Sequence, residues 1–191
     1  IPMTDLPASI LTELYNERTA ELDKEWEDRK STQLDSILAN LGDIPGLPDR
    51  ELLMKATKHR CIAWDPLTIE KTDAQSEESF QEQRLALSLG VSAVNRYSKQ
   101  FGVKSYAKGV LTNGAPGAGK TFVLQTQGLY GMSQGLRVMS TSLMAVRATA
   151  IGCNNLHRIF QWEVGKNANL FRLAEVSRYY DYLHSTDNWH I

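Results

Sequence analysis

The stretch that most restricts this chain is Gly114-Ala-Pro-Gly-Ala-Gly-Lys-Thr121. Its glycines open backbone angles closed to other residues, and the whole stretch fits G-x-x-x-x-G-K-[ST]. With glycine near 7% of average composition, a chance match in a chain of this length has a probability of about 1% or less. Ala107-Lys-Gly-Val-Leu-Thr-Asn113 reads as a short buried strand before it. Phe122, Val123, Leu124, Leu129 and Tyr130 are spaced for a helix packed on a sheet, ending near Ser133. In that setting the curled backbone of Gly114, Ala115, Pro116, Gly117, Ala118 and Gly119 aims N–H groups at phosphate oxygens. The helix start at Lys120, Thr121 and Phe122 adds its positive end. Lys120 is expected on the β- and γ-phosphates and the Thr121 hydroxyl on Mg²⁺, so ATP and Mg²⁺ are the expected cofactors. A glycine-rich turn with an incidental lysine is the plain alternative. The strand, loop and helix in the required order argue against it.

The 191 residues suffice for one domain plus an appendage, and 42% hydrophobic with 23% charged residues is ordinary for a globular chain. No apolar run approaches a membrane span; the longest, Leu85 to Val94, contains Ser88, Gly90 and Ser92. No basic segment precedes an apolar stretch, so no secretory signal is expected. The chain begins at Ile1 rather than Met, as expected of a piece of a longer protein. Cys61 and Cys153 define neither a disulfide framework nor a metal quartet and read as reduced thiols of an intracellular protein. The net charge of −1 hides an asymmetry. Residues 1–82 hold 9 Lys/Arg against 18 Asp/Glu, and residues 83–191 hold 12 against 4. A basic half suggests a polyanionic partner; charge balancing between two packed segments is the alternative.

Residues 4–42 read as one helix, with Leu11, Tyr15, Leu22, Trp26, Leu34, Ile37, Leu38 and Leu41 at helical intervals. Pro7 suits its first turn and Gly42 its end. It is either a partner-binding arm or an amphipathic helix on the domain's flank. A Pro/Gly loop over 43–49 and a short helix to about Lys58 follow. His59 and Cys61 lie two apart without a second pair of ligands, and Asp65 to Glu78 reads as a linker. Further helices are expected over 79–101, 145–150, 156–163 and 170–183. Leu136-Arg-Val-Met-Ser-Thr141 is expected as a second strand, completing a right-handed parallel crossover. The fold class is α/β: an incomplete phosphate-loop (RecA-like) parallel sheet over 76–191 with a helical region over 1–75.

The segment Thr141-Ser-Leu-Met-Ala-Val-Arg-Ala-Thr-Ala-Ile-Gly-Cys-Asn-Asn-Leu-His-Arg-Ile-Phe160 narrows the function class. It resembles the second conserved motif of RecD-like superfamily 1 DNA helicases, nearest the PIF-one group with its Helitron-type branch. That family runs T-A-x-T-G-x-A-A, then I-G-G-x-T-x-H-x-x-F. Thr141, Val146, Ala148, Ile151, Gly152, Leu156, His157 and Phe160 match in type and spacing. Met144, Ala145, Arg147 and Asn155 depart from it where the family touches single-stranded DNA. The resemblance implies strand contacts from Thr141, Arg147, His157 and Arg158. Phe80-Gln-Glu-Gln83 resembles the family's adenine-reading motif, which would place the Gln83 amide on the base. It covers roughly residues 79–185, and residues 1–75 match nothing nameable.

What the resemblance implies is an ATP-dependent 5′→3′ DNA helicase with single-stranded DNA as partner and no membrane. Catalysis in that family also needs a strand ending in Asp-Glu to orient water, and arginines from a second domain. No apolar run ending in Asp-Glu follows residue 160, so the 191-residue polypeptide alone is expected to bind nucleotide without turning it over. Two other readings stay open: a different phosphate-loop ATPase such as an AAA+ or DnaC-like loader, and a non-catalytic piece that binds nucleotide or DNA. Trp162, Phe171, Tyr179, Tyr180 and Tyr182 read as core packing at helical spacing or as stacking platforms for bases.

Overall fold

A computed structural model describes residues 7–42, 46–69, 77–99, 109–160 and 189–190. Among the described residues six α-helices and two short strands accompany the expected loop. Helix α1 spans Ala8–Leu41, α2 Arg50–Lys55, α3 Glu77–Lys99 and α4 Lys120–Ser133. Strand β1 is Arg137–Val138, α5 is Ala145–Ala150, α6 is Leu156–Phe160, and β2 is Trp189–His190. Pro7 stands before the first turn of α1, and Gly42, with a φ of 66°, ends it. The long helix read from the sequence therefore ends where expected, at Gly42, but begins at Ala8, with Pro7 before its first turn rather than inside it; residues 4–6 lie outside the described residues.

Helix α4 is the axis of the packing, and it is apolar on two sides. Leu129 and Met132 join Leu34 and Ile37 of α1, Leu53 of α2 and Val138 of β1 in one cluster. Val123 and Tyr130 join Leu87, Val91 and Val94 of α3, together with Leu136, in a second. Burying each such side chain contributes about 1.5–3 kcal/mol. At Gly128 and Gly131 the helix lacks side chains, so Val138 lies directly against its backbone. The helix expected on a sheet thus touches β1, but most of its buried surface faces α1, α2 and α3. Leu124, expected in that interface, is mostly exposed.

Polar contacts tie the helices and β1 together. Arg137 donates to Asp23 and stands over the Trp26 ring, 6.0 Å from its centroid. Lys30, almost wholly buried, donates from Nζ to Met54 O at 2.9 Å, which satisfies a carbonyl at the end of α2. Burial holds its pKa below the usual lysine range. Tyr130 donates to Asn95 Oδ1 at 2.8 Å, locking α4 to α3.

Four sequence expectations need correction. Residues 109–113 form no strand, and Leu111 is 93% exposed rather than buried. Among the described residues they have no pairing partner, so Val110 and Leu111 stay exposed; Ala107 and Lys108 lie outside the described residues. Of the strand expected over 136–141 only Arg137–Val138 is paired, in parallel with Trp189–His190 rather than in a crossover with 107–112. The short helix ends at Lys55, not Lys58, where Ala56 turns to extended backbone and Thr57 bridges Arg60. Asp65–Ile69 is not linker: Asp65 Oδ1 accepts from the Leu67 amide to start a 3₁₀ turn, and Pro66 and Ile69 are buried. The helix expected over 170–183, and with it Phe171, Tyr179, Tyr180 and Tyr182, lies outside the described residues, as do Trp162 and the end of the 156–163 helix.

Candidate nucleotide-binding site

The loop from Gly114 to Gly119 is exposed or half-exposed along its length and runs directly into α4. Its entry is set by Asn113, whose Oδ1 accepts from the Gly114 amide at 2.8 Å. A turn closes it, with the Ala118 amide donating to Ala115 O at 3.2 Å. Gly119 is the residue before the helix and adopts φ 79° and ψ 19°, a left-handed pose that a side chain disfavours. A second constraint acts there: a Cβ on Gly119 would lie 2.5 Å from Gln83 Nε2. The glycine at this position of the motif is therefore favoured by its backbone angle, while a Cβ there would also displace the Gln83 amide.

Lys120, Thr121 and Phe122 occupy the first turn of α4, whose N–H groups a helix cannot satisfy internally. Gly119, at the cap position, has no side chain to serve them. The Lys120 ammonium folds back over the loop and donates to Gly114 O at 2.6 Å and Ala115 O at 2.7 Å. Thr121 is exposed, and Phe122 is half-buried against the second apolar cluster. The arrangement offers backbone donors, one ammonium and one hydroxyl at a helix's positive end, a donor set suited to a polyphosphate with its magnesium.

Gln83 comes to the loop from α3. It is 7% exposed, and its Nε2 donates to Ala118 O at 3.1 Å. The structure thus brings Gln83 together with the Gly114–Gly119 loop, with its amide engaged on the loop backbone.

The Thr141–Phe160 segment closes on itself beside β1. Ser142 bridges Asn155, Thr141 Oγ1 donates to Asn154 O at 3.2 Å, and the Leu156 amide donates to Ser142 O at 2.9 Å. Asn155, where the family pattern has Thr, accepts from the Arg158 amide at 2.9 Å and so starts α6. Arg147 on α5 and Arg158 on α6 are exposed, whereas His157 is half-buried. Thr141 directs its hydroxyl to the chain's own backbone. Cys153 packs inward, and burial pushes its thiol up to about 11, which marks it as a packing group rather than a nucleophile.

Sequence reasoning missed what holds this segment. Ser36 and Asn40 of α1 reach it and Gln33 reaches Ser140 just ahead of it; a polar stripe at helical spacing beside the apolar one was their signal, which does not name the partner. Among the described residues no group of His, Cys, Asp and Glu side chains is arranged to hold a metal ion, and no helix is long and apolar enough to cross a membrane. No protein-family model, curated protein or solved structure matches this chain.

Proposed function

We propose that this chain is the nucleotide-binding part of an ATP-dependent motor of the superfamily 1 helicase kind, with a RecA-like α/β architecture. ATP·Mg²⁺ is taken by Gly114–Thr121 and single-stranded DNA by Thr141–Phe160. The observation that carries the reading is the turn at left-handed Gly119 straight into the 14-residue α4 with Lys120 at its first position. Lys120 would move from the Gly114 and Ala115 carbonyls to phosphate oxygens, and Thr121 would hold the magnesium, which supplies charge neutralisation at the phosphates. The parallel pairing of Arg137–Val138 with Trp189–His190 is the sheet geometry such a domain uses. Gln83 donates to Ala118 O and steadies the loop; to read the base its amide would exchange that carbonyl for the adenine edge.

Two titrations test the reading. ATP·Mg²⁺ should bind more tightly than AMP by about 10-fold or more, because only ATP offers the β- and γ-phosphates to charge-assisted bonds. Equal affinity for both would overturn the phosphate assignment. A labelled oligothymidylate should bind weakly, with a log–log salt slope near about −2 if two or three phosphates are neutralised. Arg147→Glu should flatten that slope; a parent chain that ignores salt, or binds no strand at low salt, contradicts the strand assignment.

A further inference from the structure

Helix α5 carries Arg147 and is only six residues long. A helix of that length does not hold itself in water, so its pose depends on what pins it. One pin is Ala148, buried to 1% exposure in the underlying packing. The others come from α1. Ser36 Oγ donates to Ala150 O at 2.9 Å, and Asn40 Nδ2 donates to the same oxygen at 3.0 Å. That carbonyl lies in the last turn of α5, where no further helical amide can reach it. Its neighbours are served locally, Thr149 O by the Gly152 amide and Ala148 O by the amides of Ile151 and Cys153.

Two more contacts flank this cap. Gln33, buried on α1, donates from Nε2 to the Ser140 hydroxyl ahead of α5. Beyond α5, Gly152 has φ 69°, and a Cβ there would lie 2.7 Å from Thr32 O and 2.8 Å from Ser36 Cβ. The turn after α5 therefore lies against the α1 backbone itself. The same stretch of α1 places Leu34 and Ile37 against Leu129 and Met132 of α4, so its own position is fixed by the core.

We propose that the Gln33–Asn40 face of α1 is a positioning element of the single-strand surface. It clamps the C-terminal end of α5 and the segment ahead of the helix at Ser140, and so fixes how Arg147 is presented. The inference rests on reading Thr141–Phe160 as strand-contacting, and it assigns a role to a helix that the family resemblance leaves unexplained. Ser36 and Asn40 are positioning residues: they act on the strand through α5 and Arg147.

The test uses the whole 191-residue chain, with Ser36→Ala/Asn40→Ala compared with Ser36→Thr/Asn40→Gln, which keeps both donors. Neither position is in the buried core, and circular dichroism checks that both variants fold. In the alanine pair, hydrogen exchange at the Ile151–Cys153 amides should quicken by about 10-fold. Oligothymidylate affinity should fall several-fold, and the salt slope should lose about 0.7, the share of one phosphate contact. The donor-keeping pair should restore all three readouts. Faster exchange with unchanged affinity and slope, in a parent that binds the strand, overturns this inference alone. Unchanged exchange overturns the clamp itself. A parent chain that binds no strand overturns the strand reading, and this inference falls with it.

Discussion

Replacing Leu34 by alanine should lower the unfolding free energy by about 2–5 kcal/mol, the range for emptying a fully buried leucine site. Leu34 is wholly buried on α1 and meets Leu53, Leu129, Met132 and Val138, which come from three other elements. The loss combines the transfer of the side chain with the cavity left behind, and the polar ties at Asp23–Arg137 and Lys30–Met54 limit how far α1 can shift to close it. For a chain of this size the melting temperature should drop by about 2–4 °C for each kcal/mol lost. Leu111→Ala is the control, since that side chain is 93% exposed and should change stability by less than about 0.5 kcal/mol. Urea unfolding of the two variants separates the cases. Equal midpoints would mean that α1 is an arm beside the domain and not part of its core.

The second large effect concerns the loop. Lys120→Ala should weaken ATP·Mg²⁺ binding by about 10- to 150-fold, the equivalent of one charge-assisted contact of roughly 1.5–3 kcal/mol. Its stability cost should be small, because the ammonium's partners Gly114 O and Ala115 O lie on an exposed loop where water replaces it. Affinity and stability should therefore part company. Calorimetric titration of parent and variant, with thermal melts alongside, reads both quantities. A variant that binds as tightly as its parent contradicts the role given to Lys120; one that fails to fold would show that the lysine serves the loop rather than the ligand.

The helices were legible because periodicity and punctuation agreed. Pro7 and Gly42 bound α1, and Ala145–Ala150 forms at the expected residues. The loop was legible because its glycines carry a conformational demand that Gly119 meets. What was not legible is long-range. Residues 109–113 look like a strand in isolation, yet a strand exists only through a neighbour, and none pairs with them among the described residues. Asp65–Ile69 looked like linker because polar residues surround Pro66, while its burial depends on α3 and α4 packing over it. The apolar face of α4 was visible, but not that helices rather than a sheet would cover most of it. The clamp of α1 on Ala150 was equally hidden, because Ser36 and Asn40 read as ordinary solvated positions until the partner carbonyl is known. The helicase resemblance of 141–160 remains a proposal about chemistry, with Arg147 and Arg158 exposed as it requires.

A nitrogen–proton correlation spectrum of the labelled chain during titration with ATP·Mg²⁺ tests the phosphate site at Gly114–Thr121 itself. The amides of Gly117, Gly119, Lys120, Thr121 and Phe122 should shift saturably and together, the Gln83 side-chain amide should follow, and AMP should move them far less. Shifts that avoid this loop, or a spectrum unchanged at millimolar nucleotide, would contradict a phosphate site at Gly114–Thr121.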